Sequence, residues 1–154
     1  MKKLKFTKFN LVIIVIFLVC AAGLKIWQYH WPDELLMLGD EPVLVQIAKT
    51  PYHHKKGLGG KEDLGKYDGM LFIFNGHRKI GIVMRGMNFP IDIVWLDKGT
   101  VVDMAPNVQV QPDVEEADLI PYYPRVEANL VLELPAGWVS EHDLKIGDEL
   151  TIPN

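Results

Sequence analysis

GMLFIF (69–74), IGIVMRGMNFPIDIVWLD (80–97) and TVVDM (100–104) decide how this chain is read. They are short apolar runs rich in β-branched residues, the pattern of strands joined by tight turns. LFIF (71–74) is apolar at every position, so at least part of this strand is expected to be covered on both faces. Asn75-Gly76 is a hairpin signal leading to a further strand that ends near Met84. Lys98-Gly99 turns the very apolar run Ile91–Leu96 into Thr100–Met104. Between these strands lies a polar knot, MRGMNFP (84–90), in which Gly86 and Pro90 prevent a regular ladder.

Downstream, Val108 and Val110 alternate with polar residues and suggest another strand. Asp113, Glu115, Glu116 and Asp118 form an acidic loop, ANLVLEL (128–134) a late strand, and 136–144 a short helix. Gly147-Asp148 then turns into a last strand, Glu149–Ile152. Upstream, VLVQIA (43–48) is a strand, and Thr50-Pro51 opens a short helix with Thr as N-cap and Pro at the first helical position. Gly57, Gly59 and Gly60 stop that helix, and 61–66 has room for one more helical turn. Residues 29–42, with Pro32, Gly39 and Pro42, read as a linker. The expectation is an α+β but mainly β domain over 43–154, a compact barrel-like or sandwich fold with one or two short helices.

Residues 1–28 read as a membrane anchor. The segment 9–27 holds 19 residues, apolar but for Asn10, Cys20 and Lys25. As a helix it spans about 28 Å, close to the thickness of a bilayer core. Lys2, Lys3, Lys5 and Lys8 precede it, which favours a cytoplasmic N-terminus and a domain outside the cytoplasm. Trp27, Tyr29 and Trp31 suit the far interface, where Lys25 can snorkel. A cleaved signal peptide ending near Ala21-Ala22-Gly23 is the competing reading. A lipoprotein anchored through Cys20 is a third, disfavoured by Val19 where a small residue is expected.

Charge is divided unevenly. Residues 1–31 carry five lysines and no acid, and the remainder carries 11 basic and 20 acidic residues, a net −9. An acidic domain repels phosphate backbones, so nucleic acid is not an expected partner. The lone cysteine lies in the apolar segment, so the domain has no disulfide.

Chemistry-bearing residues are sparse. His30, His53, His54, His77 and His142 are scattered, with no Cys beside them, and read as surface histidines; no metal or other cofactor is indicated. Ser140 is the only serine, and its neighbours Glu141 and His142 do not make a triad by adjacency. No catalytic residue is assigned. Three carboxylates fall in or beside apolar strands: Asp92, Asp97 and Glu133. Each must face outward or be buried with a partner, because an unpaired buried charge is costly. Arg85, across the knot from Asp92, is the expected partner, as a structural pair or as the polar base of a cleft. The candidate ligand-binding set is therefore Arg85, Asp92, Met84, Met87, Asp97 and Glu133, with Phe89, Trp95, Tyr122 and Tyr123 as further apolar candidates.

The order of motifs resembles the prokaryotic family called domain of unknown function 192. Its pattern runs T-P with a following G-L-M, then G-M-L-F-x-F, W-M-K-N-T-x-x-P-L-D, D-x-x-G-x-V, V-L-E-L-x-A-G and a terminal G-D. This chain has Thr50-Pro51 with Gly57-Leu58, GMLFIF (69–74), Met84-Arg85 with Pro90-Ile91-Asp92, Asp97 with Gly99 and Val101, VLELPAG (131–137) and Gly147-Asp148. It departs at Gly59 (usually Met), Val83 (aromatic), Arg85 (Lys), Gly86 (Asn) and Met87 (Thr). The resemblance implies a small β-rich fold, often exported or membrane-tethered, and supplies no activity. Two function classes follow. One is a single-pass extracytoplasmic binding or interaction module, held in the lipid bilayer by 9–27, for an envelope carbohydrate, peptide or protein. The other is an envelope hydrolase using Asp92 with a second carboxylate.

Overall fold

The structure is a computed structural model and describes residues 8–153. The chain divides into two units, Met1–His30 and Trp31–Asn154. The first is α1 (Lys8–Tyr29), a 22-residue helix. Its span Lys8–Trp27 has none of its residues buried and is long and apolar enough to cross a membrane, a test that a signal sequence also passes.

The second unit is a mainly-β half-barrel. In chain order it runs β1 (Asp33–Leu38), β2 (Glu41–Ala48), α2 (Pro51–Lys56), β3 (Gly69–Arg78), β4 (Ile91–Asp97), β5 (Thr100–Val108), a 3-10 turn at Glu116–Asp118, β6 (Ala128–Pro135), α3 (Trp138–Glu141) and β7 (Leu150–Thr151). The strands form one sheet in the order β5-β4-β6-β3-β2-β1-β7. Only β2 and β3 pair in parallel, joined by the crossover that contains α2. The edge strands β5 and β7 meet at their ends, where Thr100 bridges Glu149 and Leu150 N–H donates to Gly99 O at 2.7 Å.

Local chemistry explains most boundaries. Thr50 caps α2 as expected, its Oγ1 accepting from His53 N–H at 3.1 Å. Lys98 and Gly99 both take positive φ, the two-residue turn that suits the strand twist, and Asp97 pairs with Thr100 across it. Both faces of the central strands are covered. Leu71, Val94, Leu96, Leu132 and Leu134 join one core with β1, β2 and α3. Met70, Phe72, Ile91, Ile93, Trp95 and Val131 join a second, closed by Leu58, Ile80, Ile82 and Met84 from the connecting segments.

Five expectations change. The segment 29–42 is not a linker throughout, because β1 lies within it and pairs with both β2 and β7. Its alternation is short, and Leu36 and Leu38 are its buried positions, at 6% and 1% exposure. Asn75-Gly76 does not open a hairpin. Gly76, at φ 80°, is absorbed as an irregularity within β3, whose pairing with β6 shifts between Ile73 and Arg78. The strand expected to end near Met84 does not form; Ile82 makes an isolated bridge to Tyr122, and Ile80 O accepts from the buried Trp95 Nε1 at 2.9 Å. Residues 61–66 form turns without a helix, and Val108 ends β5 instead of starting a new strand.

Asp103, on the buried row of β5 with Val101, takes Arg125 in a two-pronged contact (Nη2 to Oδ1 2.6 Å, Nε to Oδ2 3.2 Å) and accepts Arg125 N–H at 2.6 Å. The Arg125 side chain holds the Asp103 carboxyl below its ordinary range and pins the long 109–127 connection to the sheet.

The domain should fold without α1, metal or disulfide, but not without β1. A fragment 31–154 is expected to give a β-type circular dichroism spectrum and a cooperative melt. A fragment 40–154 exposes the apolar surface covered by Leu36 and Leu38, roughly 3–6 kcal/mol of burial, and should be unfolded or melt far lower. Equal melting temperatures for the two fragments would refute this role of β1.

Candidate functional site

The six residues singled out by sequence do not converge on one place. Asp92 is fully buried and does not touch Arg85. Its Oδ1 accepts from Asn107 N–H at 2.7 Å and Gly137 N–H at 3.1 Å, and its Oδ2 from Val139 N–H at 2.8 Å. The carboxylate thus ties β4 to the end of β5 and to the start of α3, where unpaired N–H groups need an acceptor. Asp97 lies with His77, 2.6 Å between Oδ1 and Nδ1. Met84 is core, at 1% exposure, as is Trp95.

Arg85 points the other way. Its Nη1 donates to Lys55 O at the last turn of α2 (3.1 Å), and its Nη2 pairs with Glu116 Oε1 at 2.8 Å. Asn88 Nδ2 donates to Lys61 O at 2.8 Å, and Gly60 N–H to Gly86 O at 2.7 Å. The knot therefore is anchored, but onto the α2 loop instead of onto Asp92. Gly86 takes φ +59°, and a Cβ on Gly59 would sit 2.5 Å from Arg85 O. Two backbones meet there at a distance only glycine permits.

That closure leaves a cleft of about 500 Å³ between α2, β3 and the segment 81–87. Arg85, Met87 and Glu133 of the sequence-derived set line it. Phe72, Phe74 and His54 form an aromatic wall; the His54 and Phe74 rings lie 4.3 Å apart, and Arg78 Cζ sits 5.0 Å from the Phe74 ring centre. His54 is held in place by Nε2, 3.1 Å from Ala48 O and 3.0 Å from Ile73 O. Its neighbour His53 is not a surface residue. It is 1% exposed and stacks on Trp31 at 4.0 Å. Among the described residues no cluster of three or more metal-binding side chains occurs.

Glu133 is the unusual member. It sits mid-β6 between Met70 of β3 and Ile93 of β4, at 5% exposure. The only influence on its carboxyl is burial, which pushes its pKa up to about 8. Sequence reasoning left two options, outward or paired. The buried side chain instead avoids the cost by holding its proton. Strand parity places Glu133 with Val131 on the second core face, so its burial was legible; its lack of an ion-pair partner was not. Lys55, Lys56 and Arg78, also in the lining, were not singled out, because α2 and the end of β3 are far from Glu133 in sequence and no local pattern brings them to it.

Fold and site together define a mainly-β half-barrel domain with a small cleft lined by a buried acid, in a chain with an apolar N-terminal helix. The chain belongs to the domain of unknown function 192 family (DUF192), described as an uncharacterized ACR, whose family model matches residues 35–152. No curated protein matches it. Among solved structures it is similar to a protein of Sinorhizobium meliloti 1021 provisionally described as a transcription regulator. That likeness has 25% identity and a TM-score of 0.68, over 78% of this chain and 93% of the other. It is also similar in fold to a protein of unknown function from Novosphingobium aromaticivorans DSM 12444, at 23% identity and a TM-score of 0.64, over 78% and 84% of the two chains.

Substitutions separate the roles of Asp92 and Glu133. Asp92→Asn should cost on the order of 3 kcal/mol, because an amide turns a donor toward N–H groups that need acceptors. Arg85→Ala should cost about 1 kcal/mol, and the double variant should lose the sum, since the two share no contact. Glu133 is tested by pH. Its folded pKa is raised, so stability is full below about pH 4.5, declines as pH rises to about 8 and is flat above. Glu133→Gln should abolish that decline and raise the melting temperature at the alkaline end. A parallel pH profile in wild type and variant would show that Glu133 ionises normally.

Proposed function

We propose that this protein is a membrane-tethered extracytoplasmic module that binds a small ligand in the cleft over Glu133. The observation that carries this reading is the cleft itself: a concave, partly aromatic site with a buried polar group that no protein side chain satisfies. Such a group costs stability in the free domain and gains most from a partner brought by a ligand. The apolar helix α1 and the four lysines before its apolar run support the tether and its orientation.

The hydrolase alternative loses its residues. Two-carboxylate hydrolysis needs a second acid facing the first, and among the described residues Glu133 is the only acid in the cleft lining. Asp92 lies on the opposite face of the sheet, occupied by three backbone donors. The regulator description of the S. meliloti protein is not extended to this chain, whose domain carries a net −9 that disfavours nucleic acid.

Filling the cleft tests binding. Val83 lines it and is not core, so Val83→Trp should block it without unfolding the domain. Full-length protein in lipid nanodiscs, dialysed against a small-molecule extract, should retain a compound by mass spectrometry that Val83→Trp does not. Identical retention would refute the cleft as the site. A reporter fused after Asn154 should be active only outside the cytoplasm, and a cytoplasm-only signal would overturn the topology.

A further inference from the structure

The charges around the cleft run against those of the domain. The domain is acidic, yet Lys55, Lys56, Arg78 and Arg85 all line the cleft and Glu133 is the one acid among them. These groups come from every polar side of the site: α2 with its lysines and His54, the end of β3 with Arg78, and the knot with Arg85. The strand neighbours of Glu133, Met70 and Ile93, are apolar. Part of this charge is engaged, Lys56 Nζ with Gly59 O at 2.8 Å and Arg85 Nη2 with Glu116. The Arg85 Nε–H, however, is buried without a hydrogen-bond partner among the described residues. Glu133, nine-tenths buried and lining the same cleft, makes no side-chain hydrogen bond or ion pair among them.

We infer that the cleft selects a small monocarboxylate, its anionic head between Glu133 and Arg85 and its apolar body along Phe72 and Phe74. This rests on reading the cleft as a ligand site. The chemistry is complementary at both ends. A protonated Glu133 donates an O–H···O⁻ bond, the short charge-assisted kind, and the Arg85 Nε–H supplies a second donor. The remaining cations favour the anion's approach and disfavour a cationic ligand. A carboxylate seated there also keeps Glu133 protonated, because two adjacent carboxylates cannot both ionise cheaply. Binding and protonation of Glu133 are therefore linked. The ligand is held while Glu133 carries its proton and is released when that proton is lost.

The test uses fluorine NMR line broadening with full-length protein in lipid nanodiscs, empty nanodiscs serving as the blank. The probes are p-fluorobenzoate, its uncharged analogue p-fluorobenzamide, and p-fluorobenzylamine. The benzoate is expected to broaden and the benzylamine not. Above about pH 8 benzoate affinity should fall roughly tenfold per pH unit, while Glu133→Gln, a permanent donor, keeps binding across the same range. Val83→Trp should abolish the signal in both backgrounds. Benzylamine or benzamide binding more tightly than benzoate, with sensitivity to Val83→Trp, would overturn the carboxylate class and leave a small-ligand site standing. Benzoate binding with the same pH profile in wild type and Glu133→Gln would overturn the role of Glu133. Broadening by none of the probes overturns the inference, and a blank metabolite-retention experiment as well would remove the binding reading with it.

Discussion

Burial of β4 and β6 on both faces is the constraint from which the rest of this structure follows. A strand covered twice has no solvated side on which to place a charge. Each of these two strands nevertheless carries a carboxyl in its interior, Asp92 and Glu133, one residue apart in cross-strand register and on opposite faces. The protein answers the same problem in two ways. Asp92 stays among backbone donors and organises α3 and the end of β5 around itself. Glu133 receives no donor and is neutralised by its surroundings. The first solution builds structure, and the second leaves an unmet hydrogen-bonding group facing a cleft.

The knot between Met84 and Pro90 is the second device. It enters the second core through Met84, reaches the end of α2 through Arg85 and reaches the loop after α2 through Gly86 and Asn88. Gly86 takes a positive φ that glycine tolerates, and Gly59 stands where any side chain would strike the Arg85 carbonyl. The loop and knot are thus drawn together at backbone distance, and the cleft lies beside that seam. The planar group of Arg85 divides between a helix-end carbonyl and Glu116.

Several features could be read from residues alone. The apolar runs fixed which strands are central, because only a doubly covered strand is apolar at consecutive positions. Thr50-Pro51 and Lys98-Gly99 fixed a helix start and a hairpin, because capping and left-handed turns are set by local chemistry. The motif order was enough to identify the family, and the apolar N-terminal stretch forms the helix its composition indicates. Local signals failed where a residue type has two uses: Asn75-Gly76 could make a turn or a bulge, and the partner strand made it a bulge.

Tertiary structure decided the site. Sequence singled out Arg85, Asp92 and Glu133 as polar residues in apolar company, but proximity along the chain suggested the wrong pair. Arg85 and Asp92 are seven positions apart and leave the knot toward opposite faces of the sheet, whereas Arg85 and Glu133, far apart in sequence, line one cleft. Side-chain direction across a sheet follows from parity, which a sequence displays. Which distant loop covers each face depends on the crossover between β2 and β3 and on the path of 79–90, and no local pattern encodes those paths. The charge state of Glu133 was likewise beyond the sequence, since a pKa depends on how completely water is excluded, and that exclusion exists only once both cores have closed.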